Sequence, residues 1–181
     1  MTSSRLYFAF VRAINTGGRR LNNDQIVEPF LRLGFADVAA YQTAGNVVFR
    51  TDDPRRSHPE RLEAALSEAY GFQAPTFVRS VDELRTVVDE QRFTPEDLAA
   101  TDGRIQVSFL LSAPNPTVIS EIQALVPPED RVVFSGREWF WLPTHGVSDS
   151  QLSVGAIEQR VGTMTMRTLG TVSRMFNKFA R

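Results

Sequence analysis

The sequence, 181 residues long, predicts an α+β fold in which the order βαββαβ occurs twice before a terminal helix. Three observations carry that expectation. Short apolar runs alternate with segments whose apolar residues recur at helical spacing. Capping signals stand at the start of several of those helical segments. A polar, proline-containing stretch, Thr94 to Gly103, divides the chain, and the same order of elements resumes after it.

In the first half, Leu6-Tyr7-Phe8-Ala9-Phe10-Val11 is apolar at every position. Its aromatics favour a strand, and the lack of alternation predicts that both faces are covered. A glycine-containing loop follows, Arg12-Ala-Ile-Asn-Thr-Gly-Gly-Arg-Arg20. Asn22-Asn23-Asp24-Gln25 then opens a helix to Leu33 that stops at Gly34, with Pro29 expected to kink it or delay its start. Ala36 to Tyr41 is a short strand, Thr43-Ala44-Gly45 a turn, and Asn46 to Arg50 a third strand. Ser57-x-x-Glu60 has the spacing of a capping box, and Pro59 suits a first turn. Leu62, Ala65, Leu66, Ala69 and Tyr70 share one helical face before Gly71, and Ala74 to Arg79 is a fourth strand.

Ser80-x-x-Glu83 opens a linker helix to about Gln91, with Leu84, Val87 and Val88 inward. In the second half, Ile105, Val107, Phe109 and Leu111 alternate with polar residues as a strand. Pro116 to Leu125 reads as a helix with Val118, Ile119, Ile122 and Leu125 inward. Val132 to Phe134 and Glu138 to Leu142 form a hairpin about Ser135-Gly136. Asp149 or Ser150 caps a helix to Val161, Met164 to Thr168 is a strand, and Thr171 caps a last helix bearing Val172, Met175, Phe176 and Phe179. This element order is the split βαβ arrangement of ferredoxin-like folds. The expected organisation is a ferredoxin-like subdomain at 1–80, a linker helix and loop at 81–103, and a second such subdomain with the terminal helix at 104–181.

Composition narrows the function classes. Apolar residues make up 42% and charged residues 23%, ordinary for a globular domain. A net charge of -1 supplies no global field for nucleic acid or anionic membrane. The absence of cysteine excludes disulfides, thiolate nucleophiles and cysteine metal sites. Met1 to Arg5 is polar, and the apolar run after it is too short for a signal segment or a membrane span, so the cytoplasm is the expected location.

Arg12-x-Ile14-Asn15-x-Gly17-Gly18, then Leu33-Gly34-Phe35, then Gly45-Asn46-Val47-Val48-Phe49 resemble the pattern of Domain of Unknown Function 1697, a family of uncharacterised bacterial proteins. The resemblance continues thinly through Gly71-Phe72, Val78-Arg79 and Gly136-Arg137-Glu138 to Arg167 and Thr171-Val172. It implies a tandem ferredoxin-like fold and no reaction. The chain departs from the pattern at Thr43, where glutamine is usual. Gln151 replaces a lysine, and Thr168-Leu169-Gly170 replaces Asn-Trp-Asn.

The glycine loop is the leading candidate site. Gly17-Gly18 precedes a helix start, where free N–H groups favour an anion, and Arg12, Arg19 and Arg20 add positive charge. The first and third strands of the expected sheet are antiparallel neighbours, which brings Asn46 to the Arg12 end. The expected ligand-binding set is therefore Arg12, Asn15, Gly17, Gly18, Arg19 and Asn46. A purely structural role, glycines in a turn and asparagines satisfying loop backbone, is the competing explanation. The loop is not a P-loop, because the lysine-serine/threonine ending is absent.

Other constellations are weaker. His58 lies in a polar loop, and His145 stands near Ser148, Asp149 and Ser150 without a nucleophile-elbow motif. No metal site, cofactor or catalytic base is indicated. Phe8, Phe10 and Phe49 occupy the strands that RNA readers of this fold use for base stacking, but core packing accounts for them better, so nucleic acid is disfavoured. Trp139-Phe140-Trp141 cannot all face one way, which predicts one ring exposed or covered by the other subdomain or a second chain, a hint of a homo-oligomer. The leading function is a non-catalytic binding protein for a small anionic ligand or a protein partner. The alternative is an enzyme acting on a phosphorylated or carboxylated small molecule, with arginines as electrostatic stabilisers.

Overall fold

The computed structural model describes residues 4–101 and 103–180. The chain is α+β and divides into two compact units, residues 1–86 with 175–181, and residues 87–174. The division falls inside the linker helix and loop expected at 81–103, and the end of the terminal helix, from Met175, groups with the first unit.

The first unit is built on β1 (Arg5–Val11), α1 (Asn23–Arg32), β2 (Ala36–Ala40), β3 (Asn46–Thr51), α2 (Pro59–Tyr70) and β4 (Thr76–Ser80). Its four strands are antiparallel in the order β2-β3-β1-β4. The apolar run of β1 is central, and its register sets Phe8 opposite Val48 on one side and Arg79 on the other. Tyr7, Ala9, Val11, Val47, Phe49 and Val78 pack with Ile26 and Phe30 of α1 and Leu62 and Leu66 of α2. Phe8, Phe10 and Phe77 are also fully buried, so both faces of this sheet are covered as β1 predicts. Phe176, from the segment 175–181, lies tilted against Phe8 with centroids 6.1 Å apart.

The second unit contains α4 (Pro95–Ala99), β5 (Gln106–Leu110), α5 (Pro116–Gln123), β6 (Arg131–Ser135), β7 (Glu138–Leu142), α6 (Val154–Val161) and β8 (Met164–Thr168). Its strands are antiparallel in the order β6-β7-β5-β8. Leu110, Trp139, Trp141 and Met164 pack with Ile122 of α5 and Ile157 of α6. Two helices, α3 (Val81–Asp89) and α7 (Leu169–Phe179), contribute residues to both units.

Several local expectations hold for the reason that predicted them. Asn22 and Gln25 form a reciprocal capping box at α1, and Ser80 with Glu83 does the same at α3. Gly71 ends α2 in the left-handed conformation. Other expectations are corrected. The helix α1 starts at its Asn22 cap and runs through Pro29, the seventh of its ten residues, so the proline removes one i→i−4 bond but neither delays the start nor ends the helix. Ser57 does not cap α2: it closes a 3-10 turn at Pro54–Ser57, and His58 takes the cap position without a side-chain bond.

The second half brings further corrections. The polar stretch after Phe93 is not all loop, because Thr94 and Asp97 cap the short helix α4. Ser153, not Asp149 or Ser150, caps α6. Thr168, not Thr171, accepts the amide at the start of α7. Leu125 is 41% exposed, beyond the end of α5. Trp139, Phe140 and Trp141 are all fully buried, and Phe140 lies under the Arg92 guanidinium at 3.9 Å from its centroid, so the run exposes no ring. Among the described residues no helix is long and apolar enough to cross a membrane.

Candidate functional site: a cationic glycine loop

The loop between β1 and α1 leaves the sheet at Val11, whose N–H donates to the Gly45 carbonyl at 2.7 Å. Arg12 N–H donates to the Pro75 carbonyl at 2.8 Å, and Ile14 inserts into the core at 5% exposure. Gly45 permits this approach: a Cβ there would stand 2.3 Å from the Val11 carbonyl oxygen. The expected juxtaposition of Asn46 with the β1 end is present, since Asn46 pairs with Phe10.

Asn15 holds the loop in shape. It sits at φ 57°, a left-handed conformation that asparagine tolerates better than most residues. Its side-chain amide donates to the Leu21 carbonyl at 2.9 Å and the Thr43 carbonyl at 2.7 Å, while its Oδ1 accepts from the Leu21 N–H at 2.5 Å. One side chain thus ties the loop to the helix entry and to the turn before β3. Asn46 is 1% exposed, and its amide donates to the Tyr41 carbonyl at 3.2 Å, bracing the same turn from below.

The residues between these anchors face solvent. Thr16, Gly17, Gly18, Arg19 and Arg20 are exposed. Gly17 and Gly18 have φ of 60° and 84°, and a Cβ on either would meet nothing within 4 Å. Their requirement is conformational, so their backbone is open to a ligand. The Arg19 guanidinium lies over the Phe72 ring, 4.4 Å from its centroid, and Phe72 stacks on Tyr70 at 5.6 Å. That stacking aims Arg19 without neutralising it. The Tyr70 hydroxyl donates to the Ile26 carbonyl at 2.7 Å, and burial raises its pKa above the ordinary phenol range, with Glu28 adding to the effect.

The predicted set therefore falls into two groups. Arg12 is half-buried, Asn15 pins the loop and Asn46 is buried, whereas Gly17, Gly18 and Arg19 are presented. The α1 start is already capped by the Asn22 side chain, so the positive character of the loop comes from arginines and glycine amides rather than from the helix end.

Elsewhere, Phe8, Phe10 and Phe49 are fully buried, which leaves their faces closed to a nucleobase. His145, Ser148 and Asp149 are exposed, and the Ser150 hydroxyl donates to Asp130 Oδ2 at 2.5 Å. Asp130 has no signal in the sequence spacing. Buried at 4% exposure, it also accepts from Trp141 Nε1 and Thr144 N–H, both at 2.9 Å. It pins the β6–β7 end of the second unit. Arg56 was equally silent, because its partners lie far away in sequence.

The family profile described as Protein of unknown function (DUF1697) matches residues 5–140, and the chain belongs to that family. The match covers both glycine motifs and ends before the C-terminal segment where the resemblance is thin. None of the curated proteins compared matches this chain. Among solved structures it is similar to the conserved bacterial protein SP0830 from Streptococcus pneumoniae, at 18% identity and a TM-score of 0.69, over 96% of this chain and 99% of that one. At that identity the likeness concerns the fold.

Proposed function

We propose that this protein is a non-catalytic binding protein that takes up an anionic group, on a small molecule or on a protein partner, at the loop from Arg12 to Arg20. The observation that carries the reading is the division of labour within the loop. Asn15 spends three hydrogen bonds on holding it, while Gly17, Gly18, Arg19 and Arg20 stay exposed. A loop that is rigid yet outward-facing loses little entropy on binding. Guanidinium groups supply bidentate, charge-assisted contacts to carboxylate or phosphate, and glycine amides allow close approach. In this reading Arg12, Asn15 and Asn46 shape the site, and Gly17, Gly18 and Arg19 contact the ligand. No side chain in the loop is suited to general base work, which favours binding over catalysis.

The fold reading that goes with it is a tandem of ferredoxin-like halves, residues 1–80 and 104–181. It is supported by the strand orders and by the likeness to SP0830. The test of the function is a thermal-shift screen with inorganic phosphate, nucleotides, sugar phosphates and small carboxylic acids at low and high salt. A ligand at about 100 times its dissociation constant adds roughly 2.7 kcal/mol of stability. The shift is expected to vanish when Arg19→Ala and Arg20→Ala are combined. An equal shift in that double variant would remove the ligand from the loop. No shift from any anion would leave an acidic protein partner as the remaining form of the proposal.

A further inference from the structure

The Leu33-Gly34-Phe35 motif has no part in the glycine loop, yet it borders a concavity in the first unit. Leu33 is the C-cap of α1, and its carbonyl accepts a hydrogen bond from the Arg56 Nη2. The Arg56 guanidinium lies over the Phe35 ring, 5.3 Å from its centroid. Gly34 makes the room: it has φ +74°, and a Cβ there would come within 2.9 Å of Arg56 Nη2. The motif therefore holds one arginine in place through a carbonyl, a missing side chain and a ring.

Beside it opens a cleft of about 300 Å³ lined by Leu33, Phe35, Arg56, Arg61, Leu62 and Ala65. Its accessible apolar surface comes from the part-exposed Leu33 and Ala65 over the buried Phe35 and Leu62, and its charge from two arginines, with no carboxylate in the lining. Arg61 is exposed on α2. The residues one turn further along that helix face are Ala64 and Ala65, and those three and four positions before Arg61 are His58 and Ser57, so no acidic side chain offsets it there. Arg56 gives only part of its N–H fan to Leu33, which leaves further donors for a ligand.

We infer that this cleft binds a small organic anion, a carboxylate or phosphate borne on a flat apolar body, with the oxyanion held by Arg56 and Arg61 and the body against Leu33 and Ala65. Charge complementarity selects the anion, and the apolar lining selects its body. A volume at the lower end of small-molecule pockets fits one or two rings rather than a nucleotide. The cleft and the glycine loop share no residue, so the two sites stand or fall separately.

The test is an amide-resolved NMR titration of the whole protein at low salt with four probes: 1-naphthylacetate, 1-naphthyl phosphate, the neutral 1-naphthylacetamide, and acetate. One or both naphthyl anions should give saturable shifts at Leu33, Phe35 and Ala65. The neutral amide and acetate should each bind at least tenfold more weakly. Because Arg56 also ties down Leu33, the exposed Arg61 carries the mutational arm. Arg61→Ala should weaken binding at least fivefold and Arg61→Glu should abolish it, whereas Arg19→Ala should leave it unchanged. Equal binding of the neutral amide, undiminished binding to Arg61→Glu, or no saturable shift at these residues with either naphthyl anion would each overturn the proposal.

Discussion

Laid one over the other by the ladders of their central strands, β1 and β5, the two units correspond position by position. In the first, Ala9 faces Val78 and Val47; in the second, Ser108 faces Met166 and Trp139. Phe8 faces Arg79 as Val107 faces Arg167. Both arginines donate to the carbonyl of the preceding residue at 2.8 Å. Burial lowers the Arg167 pKa to about 10, so its guanidinium stays charged at neutral pH. Val11 N–H donates to the Gly45 carbonyl at 2.7 Å, and Leu110 N–H to the Arg137 carbonyl at 2.8 Å. The helices that follow those strands, α1 and α5, are both capped by asparagine, Asn22 and Asn115.

The units part company after the first strand. The second reaches its helix cap through residues 111–115, whereas the first takes residues 12–22 to do the same. The shorter connection demonstrates that this geometry can be spanned without a glycine loop. The extra length in the first unit costs ordering entropy that folding does not require, and Asn15 meets part of that cost. Excess ordered loop on a regular scaffold is where binding residues concentrate. The comparison thus points to the same loop as its exposed arginines do.

The sharpest way to break this comparison is at Asp130, a polar pin of the second unit. Asp130→Ala leaves Trp141 Nε1, Thr144 N–H and the Ser150 hydroxyl without their acceptor and should cost about 3 to 5 kcal/mol. Both tryptophans lie in that unit, so urea unfolding followed by tryptophan emission reads it selectively. A loss under about 1 kcal/mol would show that the pin is dispensable.

Next in size is the pair Gly45 and Arg137, which occupy matching places but differ in need. Gly45→Ala drives a Cβ against the Val11 carbonyl and should cost about 3 kcal/mol. Arg137→Ala, with no left-handed backbone to strain, should cost less than about 1 kcal/mol. Equal costs in chemical denaturation would undo the distinction.

Asn15→Ala removes the three bonds that the second unit does without, and should cost about 2 kcal/mol. Hydrogen exchange at Leu21 should accelerate before that of the β1 amides does. Synchronous exchange would mean that the loop is not a separately held element. The smallest effect belongs to Ser108, a buried hydroxyl that makes no hydrogen bond where the first unit has Ala9. Ser108→Ala makes the units alike and should be neutral or stabilise by up to about 1 kcal/mol. A clear destabilisation would reveal a partner for that oxygen.

Much of the scaffold was legible in the sequence, because its signals are local. An unbroken apolar run marked β1, and the reciprocal spacing of Asn22 with Gln25 and Ser80 with Glu83 marked two helix starts. Where two candidates stood close together, local rules chose wrongly. Ser57 and Thr171 lost their caps to neighbours whose backbone entered the helix differently, and α4 hid in a polar stretch because it buries none of its residues. The glycine loop was visible from its composition, but the roles of its residues were not. Asn15 acts on Thr43 across 28 positions, and no spacing rule reaches that far.

The sequence by itself determined which segments become helix or strand, since periodicity, capping and turn chemistry act within a few residues. It also determined the positive character of the loop and excluded thiol chemistry. Only the tertiary structure decided which polar side chains are spent on the fold and which remain for a ligand. Asn15 and Asn46 turn to backbone carbonyls and Asp130 is enclosed, while Arg19, Arg20 and Arg61 are left at the surface. The reason is physical. A side chain's availability depends on the desolvation and partners it meets when distant segments pack, and those arise from the strand register rather than from its neighbours in the chain.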